Sequence, residues 1–195
     1  MPAPTVRIAT PAQRQSVVNT LALAFVADPV VRWLAHSADV YLNAFGHIVD
    51  AMGGRAFGLG TAYYLDDFSG ASVWLPPNER MGDDAFTAFL AVAALPDAIA
   101  ADMGGVAGQM GAYHPHEPHW YLPMLGVDAS QQGRGLGAIL MKYALAQADI
   151  DHLPAYLESS NPKNIPFYER HGFETIGLIQ AGSSPPLTPM YRTAR

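Results

Sequence analysis

The chain contains no cysteine. Disulfides, thiolate metal sites and a thiolate nucleophile are thereby excluded, and a reducing compartment is permitted. Charge is also scarce: 14% of residues are charged, with 11 Lys and Arg against 17 Asp and Glu, for a formal net charge of −6. Binding a polyphosphate backbone takes a clustered basic surface, so no nucleic-acid partner is expected, and an amine or other cationic ligand suits the charge better. Long apolar runs are missing too. The most apolar stretch, Ala85 to Leu95, falls short of the roughly 20 residues a bilayer demands and runs into Pro96-Asp97, so it reads as a buried helix and no membrane association is expected. The opening Met1-Pro2-Ala3-Pro4-Thr5-Val6-Arg7 lacks the basic start and apolar run of a secretory signal, which points to the cytoplasm. No repeat of fixed period is present.

Half of the residues are nonetheless apolar, in blocks bounded by Gly and Pro, which is globular composition. A chain of 195 residues can bury one sizeable core, so a single domain over 1–195 is expected. Val6 to Ala9 alternates like a short strand, and Thr10-Pro11 then signals a helix start, predicting a helix to about Ala27. Asp28-Pro29 repeats the signal for a short helix through Trp33 and Leu34, and Val40 to Met52 has helical spacing. Gly58 to Leu65 and Ala71 to Leu75, separated by Asp66 to Gly70, predict an antiparallel hairpin. Asp83-Asp84 open a helix reaching Leu95, whereas Gly104 to Gly111 is too rich in glycine to assign. Trp120 to Val127 is strand-like, but Pro123 cannot donate a ladder hydrogen bond and Gly126 invites a bulge, so a broken, splayed strand is expected. A helix over Leu136 to Ala148, a strand over Pro154 to Glu158, a helix over Asn164 to His171, a strand over Phe173 to Ile179 and a last strand over Leu187 to Arg192 complete a mixed α/β order around one sheet.

Gly133, Gly135 and Gly137 sit between the strand ending at Val127 and the helix opening near Leu136. Several backbone N–H groups can converge there with no side chain in the way, the helix dipole adds positive potential, and Arg134 can add a full charge. That chemistry suits a diphosphate; the bland alternative is an ordinary glycine-rich connection. A Walker-type loop fails, because Gly137-Ala138-Ile139 stands where Lys and Ser or Thr are needed. A dinucleotide fingerprint matches loosely at Gly133, Gly135 and Ala138, with Glu158 about twenty residues on; against it, five residues separate strand from first glycine and little chain remains for further parallel strands.

Val127-Asp128-Ala129-Ser130-Gln131-Gln132-Gly133-Arg134-Gly135-Leu136-Gly137 resembles the acyl-CoA loop of the GNAT N-acetyltransferases, with Gln132, Gly135 and Gly137 at its fixed positions. Glu158 to Phe173, with Asn161, Tyr168 and Gly172-Phe173, is similar to the series that closes GNAT domains. Within the family the chain most resembles the puromycin N-acetyltransferase-like members, through Thr5 to Thr10, Leu21 to Phe25, His114 to Leu122 and Asn164 to Arg170. The likeness is weakest from about Val40 to Gly111, where such enzymes vary their acceptor pocket.

The resemblance implies the GNAT fold, an α/β (α+β) arrangement with one mixed, mostly antiparallel sheet, a splayed central strand pair and flanking helices. It implies acetyl-CoA as acetyl donor and direct attack by an amine in a ternary complex, which fits a chain without cysteine. It places Leu125, Gly126 and Val127 beside the pantetheine, Gln132, Gly133, Arg134, Gly135, Leu136, Gly137 and Ala138 around the pyrophosphate, and Asn161 and Asn164 near the cofactor arm, Asn164 being alternatively a helix cap. Tyr168 stands where the family protonates the departing thiolate; its bland reading is a core aromatic. For the general base the candidates are Glu158, His119 and Glu117, directly or through water, with Glu158 taken as the catalytic choice.

His114, His116 and His119 invite a metal reading, but the intervening prolines break regular spacing and no metal is expected; exposed loop histidines are the simpler reading. Trp33, Phe45, Tyr63 and Trp74 fit core positions better than an acceptor pocket. The expected activity is acetyl transfer to a primary amine of a small molecule by a monomer or homodimer. The alternatives are acetylation of a protein N-terminus or lysine, and a non-catalytic acyl-CoA-binding regulator.

Overall fold

The computed structural model of the chain describes residues 4–195; Met1 to Ala3, the start of the segment read for a leader, lie outside the described residues. Seven strands form one sheet in the order β1-β2-β3-β4-β5-β7-β6. These are β1 (Val6–Ile8), β2 (Ala62–Leu65), β3 (Gly70–Leu75), β4 (Trp120–Val127), β5 (Ala155–Ser159), β6 (Glu174–Thr175) and β7 (Thr188–Arg192). Every neighbouring pair is antiparallel except β4 with β5. A doubly wound dinucleotide fold needs a run of parallel strands, so that rival is overturned.

The helices are α1 (Arg14–Phe25), α2 (Pro29–Leu34), α3 (Ala38–Gly53), α4 (Ala56–Leu59), α5 (Asp83–Ala93), α6 (Asp97–Tyr113), α7 (Leu136–Ile150) and α8 (Ile165–Glu169). Thr10 and Gln13 form a reciprocal capping box over a 3-10 turn that leads into α1. Asp28 caps α2 and Ser37 caps α3. One sheet face, through Ala62, Ala71, Val73 and Met124, packs with Leu21, Phe45, Val49, Phe57 and Phe89 of α1, α3, α4 and α5. The other, through Tyr63, Leu65, Trp74, Trp120, Leu122, Leu157 and Met190, packs with Leu140, Met141 and Leu145 of α7 and with Tyr168. Side chains of alternate residues meet opposite faces, as strand geometry requires.

Four stretches depart from the sequence reading. The strand expected over Gly58 to Leu65 starts only at Ala62, because Ala56–Leu59 forms α4 and Gly60 closes it in the left-handed region. The helix expected to be buried over Ala85 to Leu95 buries only a stripe at Phe89 and Ala93 and leaves Phe86 and Val92 exposed. The glycine-rich 104–111 lies inside α6, a helix of 17 residues. Helix propensity is poor there, but Val106 packs with Ile179 and Leu187, Ser183 donates from N and Oγ to Asp102 at 2.8 Å each, and Gln109 bonds Gln180 in both directions. Docking of this kind outweighs propensity. The expected strand over Phe173 to Ile179 shrinks to β6 plus an isolated bridge from Ile179 to Leu187. Its ladder breaks around Gly177, where a Cβ would lie 2.3 Å from the Tyr113 ring; the chain makes way for that ring.

Candidate active site

β4 and β5 share two rungs, Trp120 with Ala155 and Tyr121 with Tyr156, and then part. Pro123 has no N–H to extend the ladder, and at its level the register of β3 slips between Val73 and Leu75. Beyond it Leu125 to Val127 and Leu157 to Ser159 diverge, leaving backbone groups without partners across the gap. The expected bulge at Gly126 is not there: Gly126 pairs regularly with Ala71. Glycine is required because α1 crosses so closely that a Cβ would sit 2.5 Å from the Ala24 Cβ.

At the far end of β4 the Asp128 carboxylate accepts from Ser130 N at 2.8 Å and Ser130 Oγ at 2.9 Å, which turns the chain. Gln132 Nε2 ties the loop back to the Val127 carbonyl at 3.2 Å, and the Arg134 guanidinium donates to Gln131. Gly133 and Gly135 have φ of 77° and 78°, and a Cβ at either would meet no atom within 4 Å. Left-handed backbone there costs glycine nothing and leaves an open concavity. Gly135 caps α7 with no side chain, and the first turn begins only with Ala138 N donating to the Gly135 carbonyl at 3.0 Å, so the amides of Leu136 and Gly137 stand ahead of the helix ladder. Leu136 is buried, and a Cβ added at Gly137 would meet the Phe167 ring at 3.5 Å and Leu125 at 3.7 Å, both ordinary contact distances. Free amides, a helix N-terminus and a guanidinium around an open concavity fit a phosphorylated ligand.

Asn161 accepts from Lys163 N at 3.1 Å and so caps the turn that leads into α8. Asn164 is exposed and makes no side-chain cap, which corrects its reading as the helix cap: the 3-10 turn ahead of α8 hands that task to Asn161. Tyr168 is 8% exposed and sits between the Phe167 and Phe173 rings at centroid distances of 5.2 and 6.1 Å. Burial, with a lesser contribution from the Asp28 charge, raises its pKa and keeps the phenol protonated.

Glu158 points from β5 to the face that Tyr156 also occupies. Its side chain is 3% exposed. Oε2 accepts from the Tyr121 hydroxyl at 2.8 Å, whereas Oε1 has no hydrogen-bond partner among the described residues and lies 4.0 Å from His114 Nδ1. His114, at the end of α6, packs edge-on against Tyr121 and Tyr156 at 5.1 and 5.0 Å. Burial and the neighbouring Glu158 charge push the pKa of both tyrosines well up. His119 Nε2 meets His114 Nε2 at 3.1 Å, and burial lowers the pKa of His119. These two histidines are thus half-buried in an aromatic wall, contrary to the loop reading; His116 is exposed. Among the described residues no group of three metal-capable side chains converges. Glu117 lies at the exposed rim, where it accepts from Tyr191 OH at 3.0 Å. Phe45, Tyr63 and Trp74 are buried in the core, and Trp33 donates from Nε1 to Ser183 Oγ at 3.2 Å.

Sequence reasoning missed Asp28 as a site residue. Its Oδ1 caps α2 through the amides of Val30 and Val31 at 3.0 Å each, and its Oδ2 accepts from Ser160 Oγ at 2.6 Å. Burial raises its pKa. The Asp-Pro start signal was visible in the sequence; the bond to a residue 132 positions away was not. Tyr121 and Tyr156 were missed as well, although the alternation of Tyr156 and Glu158 places both on one face.

The sequence profile of the acetyltransferase (GNAT) family matches residues 62–173, a span that holds the splayed strands, the glycine loop, Glu158 and Tyr168. The chain belongs to this family. An uncharacterised N-acetyltransferase of Schizosaccharomyces pombe is 29% identical over 195 residues, covering 89% of this chain and 76% of the relative. Among solved structures, one from Corynebacterium glutamicum described as histone acetyltransferase HPA2 and related acetyltransferase superposes with a TM-score of 0.73 at 22% identity, covering 100% of this chain and 98% of that one. Arylalkylamine N-acetyltransferase 2 of Aedes aegypti gives a TM-score of 0.68 at 12% identity, with 100% of both chains covered. These two likenesses concern the fold. The GNAT chain is an acetyltransferase, and no helix among its described residues is long and apolar enough to cross a membrane.

Proposed function

We propose that this GNAT acetyltransferase moves an acetyl group from acetyl-CoA to a primary amine of a small molecule, by direct attack in a ternary complex within one domain. The observation that carries the reading is the opening between β4 and β5, with the uncapped glycine loop of α7 on one side and the buried carboxylate of Glu158 on the other. Gln132 to Ala138 would hold the pyrophosphate, Leu125 to Val127 the pantetheine through strand amides, and Asn161 and Asn164 the cofactor arm. Acetyl-CoA supplies an activated thioester. An amide near Val127 directed at the carbonyl oxygen is of a kind commonly worth about 3 kcal/mol.

Glu158 takes the proton of the acceptor ammonium at its unpartnered Oε1, while Tyr121 steadies Oε2. Tyr168, held protonated by its burial, gives its hydroxyl proton on the thiol side of the opening. Bringing both reactants into one slot supplies much of the acceleration. A small acceptor is favoured over a protein because α6 and its aromatic residues wall the Glu158 side. The likeness to puromycin N-acetyltransferase-like members supports a small amine without naming puromycin.

The deciding experiment incubates the protein with acetyl-CoA and separate panels of small amines and peptides, with products read by mass spectrometry. Acetylation of small amines is expected. Modification of peptides alone would favour a protein acetyltransferase, and tight acetyl-CoA binding without transfer to any amine would favour a regulator. Failure to bind acetyl-CoA would sink the reading.

A further inference from the structure

The hydrogen bonds around the histidine pair fix the position of every ring proton. A carbonyl oxygen only accepts, so the 2.7 Å contact of His119 Nδ1 with the Glu117 carbonyl requires a proton on Nδ1. Neutral His119 then carries its lone pair on Nε2. The 3.1 Å contact between the two Nε2 atoms therefore requires the proton on His114 Nε2. Neutral His114 is left with its lone pair on Nδ1, and that atom faces Glu158 Oε1 at 4.0 Å. Oε1 is buried without a partner, whereas Oε2 already receives the Tyr121 hydroxyl. The one free acceptor position of the ring pair thus addresses the carboxylate oxygen that Tyr121 leaves free, beside the Tyr156 hydroxyl, which is also buried and bears on the same carboxylate.

The geometry points to His114 as a positioning residue that drains the proton Glu158 takes from the acceptor ammonium, with His119 locking the tautomer that makes this possible. The inference rests on the role proposed above for Glu158. The proton leaves the ammonium nitrogen for Glu158 Oε1, turning carboxylate to acid. It then passes from Oε1 to His114 Nδ1, restoring the carboxylate and forming an imidazolium. The His114 side chain, 37% exposed, returns it to water. No other bond changes. The two atoms stand beyond hydrogen-bond range, and an acid proton on Oε1 or an imidazolium proton on Nδ1 gives the attraction that brings them together. Burial favours neutral His119, consistent with its acting as the fixed acceptor. The titratable groups facing the pair are Tyr121 from β4, Tyr156 and Glu158 from β5, and Glu117 from the loop, while Tyr113 from α6 acts on Tyr156 and His116 and Tyr191 act on Glu117.

Nitrogen-15 NMR of the histidine-labelled protein tests the arrangement without an acceptor, with His114→Ala and His119→Ala spectra supplying the assignments. The expected result at pH 8 is the Nδ1–H tautomer for His119 and the Nε2–H tautomer for His114. The opposite tautomer at His114 overturns the proposal. With an amine found in the screen, His114→Ala should lower kcat by roughly tenfold or more at constant KM, move the pH profile and recover with added imidazole. His119→Gln, whose amide can both donate to the Glu117 carbonyl and accept from His114, should retain activity that His119→Ala loses. A wild-type kcat and pH profile in His114→Ala overturns the relay. Absence of transfer by the unmodified protein to every amine overturns instead the reading of the site on which it rests, whatever the tautomers.

Discussion

Tyr121 donates its hydroxyl hydrogen to Glu158 Oε2 over 2.8 Å from the last rung that β4 shares with β5. The residue that ends the strand pairing is also the one that holds the carboxylate, so the parting of the strands and the aim of Glu158 are mechanically one feature. An amide in place of the carboxylate separates these roles. Glu158→Gln keeps an oxygen for Tyr121 and should fold with an unchanged melting temperature, while kcat/KM for an amine falls by about 10²-fold or more. Steady-state kinetics alongside calorimetric binding of acetyl-CoA checks this; near-normal turnover would remove Glu158 from the chemistry.

Tyr168→Phe leaves the ring packing against Phe167 and Phe173 intact. Loss of the hydroxyl alone should lower kcat at saturating acceptor by about 10²-fold, with little effect on thermal stability. A variant with full turnover would make Tyr168 a core aromatic and nothing more.

Gly135→Ala places a side chain at φ 78°. Left-handed backbone costs an L-residue about 1–2 kcal/mol, and the added methyl group meets no protein atom within 4 Å. Any further loss is therefore a loss of ligand space. A several-fold rise in the dissociation constant for acetyl-CoA, measured by calorimetry, is expected; unchanged affinity would place the pyrophosphate elsewhere.

Asp28 has its folded-state pKa raised, chiefly by burial, above the ordinary aspartate value of 3.8. A raised pKa gives stability that is complete below the unfolded-state value and is lost as pH climbs through the folded one. Asp28→Asn has no such titration and keeps an oxygen for the amides of Val30 and Val31. Denaturant melts should therefore show the variant gaining on the parent protein from about pH 4 toward pH 8. A gap that is constant, or that narrows with rising pH, would contradict the burial argument.

The glycine-rich turn ahead of α7 and the break in β4 were legible in the sequence, and the aromatic wall around Glu158 was not. Gly133, Gly135 and Gly137 lie within five consecutive residues and report a local backbone shape, and Pro123 announces the break in β4 without any tertiary information. The proline-broken spacing of His114 and His119 hid the fact that the end of α6 brings their rings together over Tyr156. Asp28 and Ser160 touch only because the α1–α2 junction and the end of β5 arrive at one place. Gly126 was misread because its cause lies outside the strand, in the approach of Ala24. Gly104 to Gly111 has weak helical propensity and becomes a helix through docking on 179–187.

The seat of α6 has an evolutionary consequence. Its polar clamps, Asp102 to Ser183 and Gln109 to Gln180, join residues 81 and 71 positions apart, and neither partner belongs to the glycine loop or the opening it serves. The helix that carries His114 to Glu158 is therefore fastened to 180–183 and not to the glycine loop. Paired changes in 97–113 and 176–187 can thus reshape this wall while the glycine loop stays as it is, which, on the function proposed above, lets selection alter the amine admitted without altering how acetyl-CoA is held.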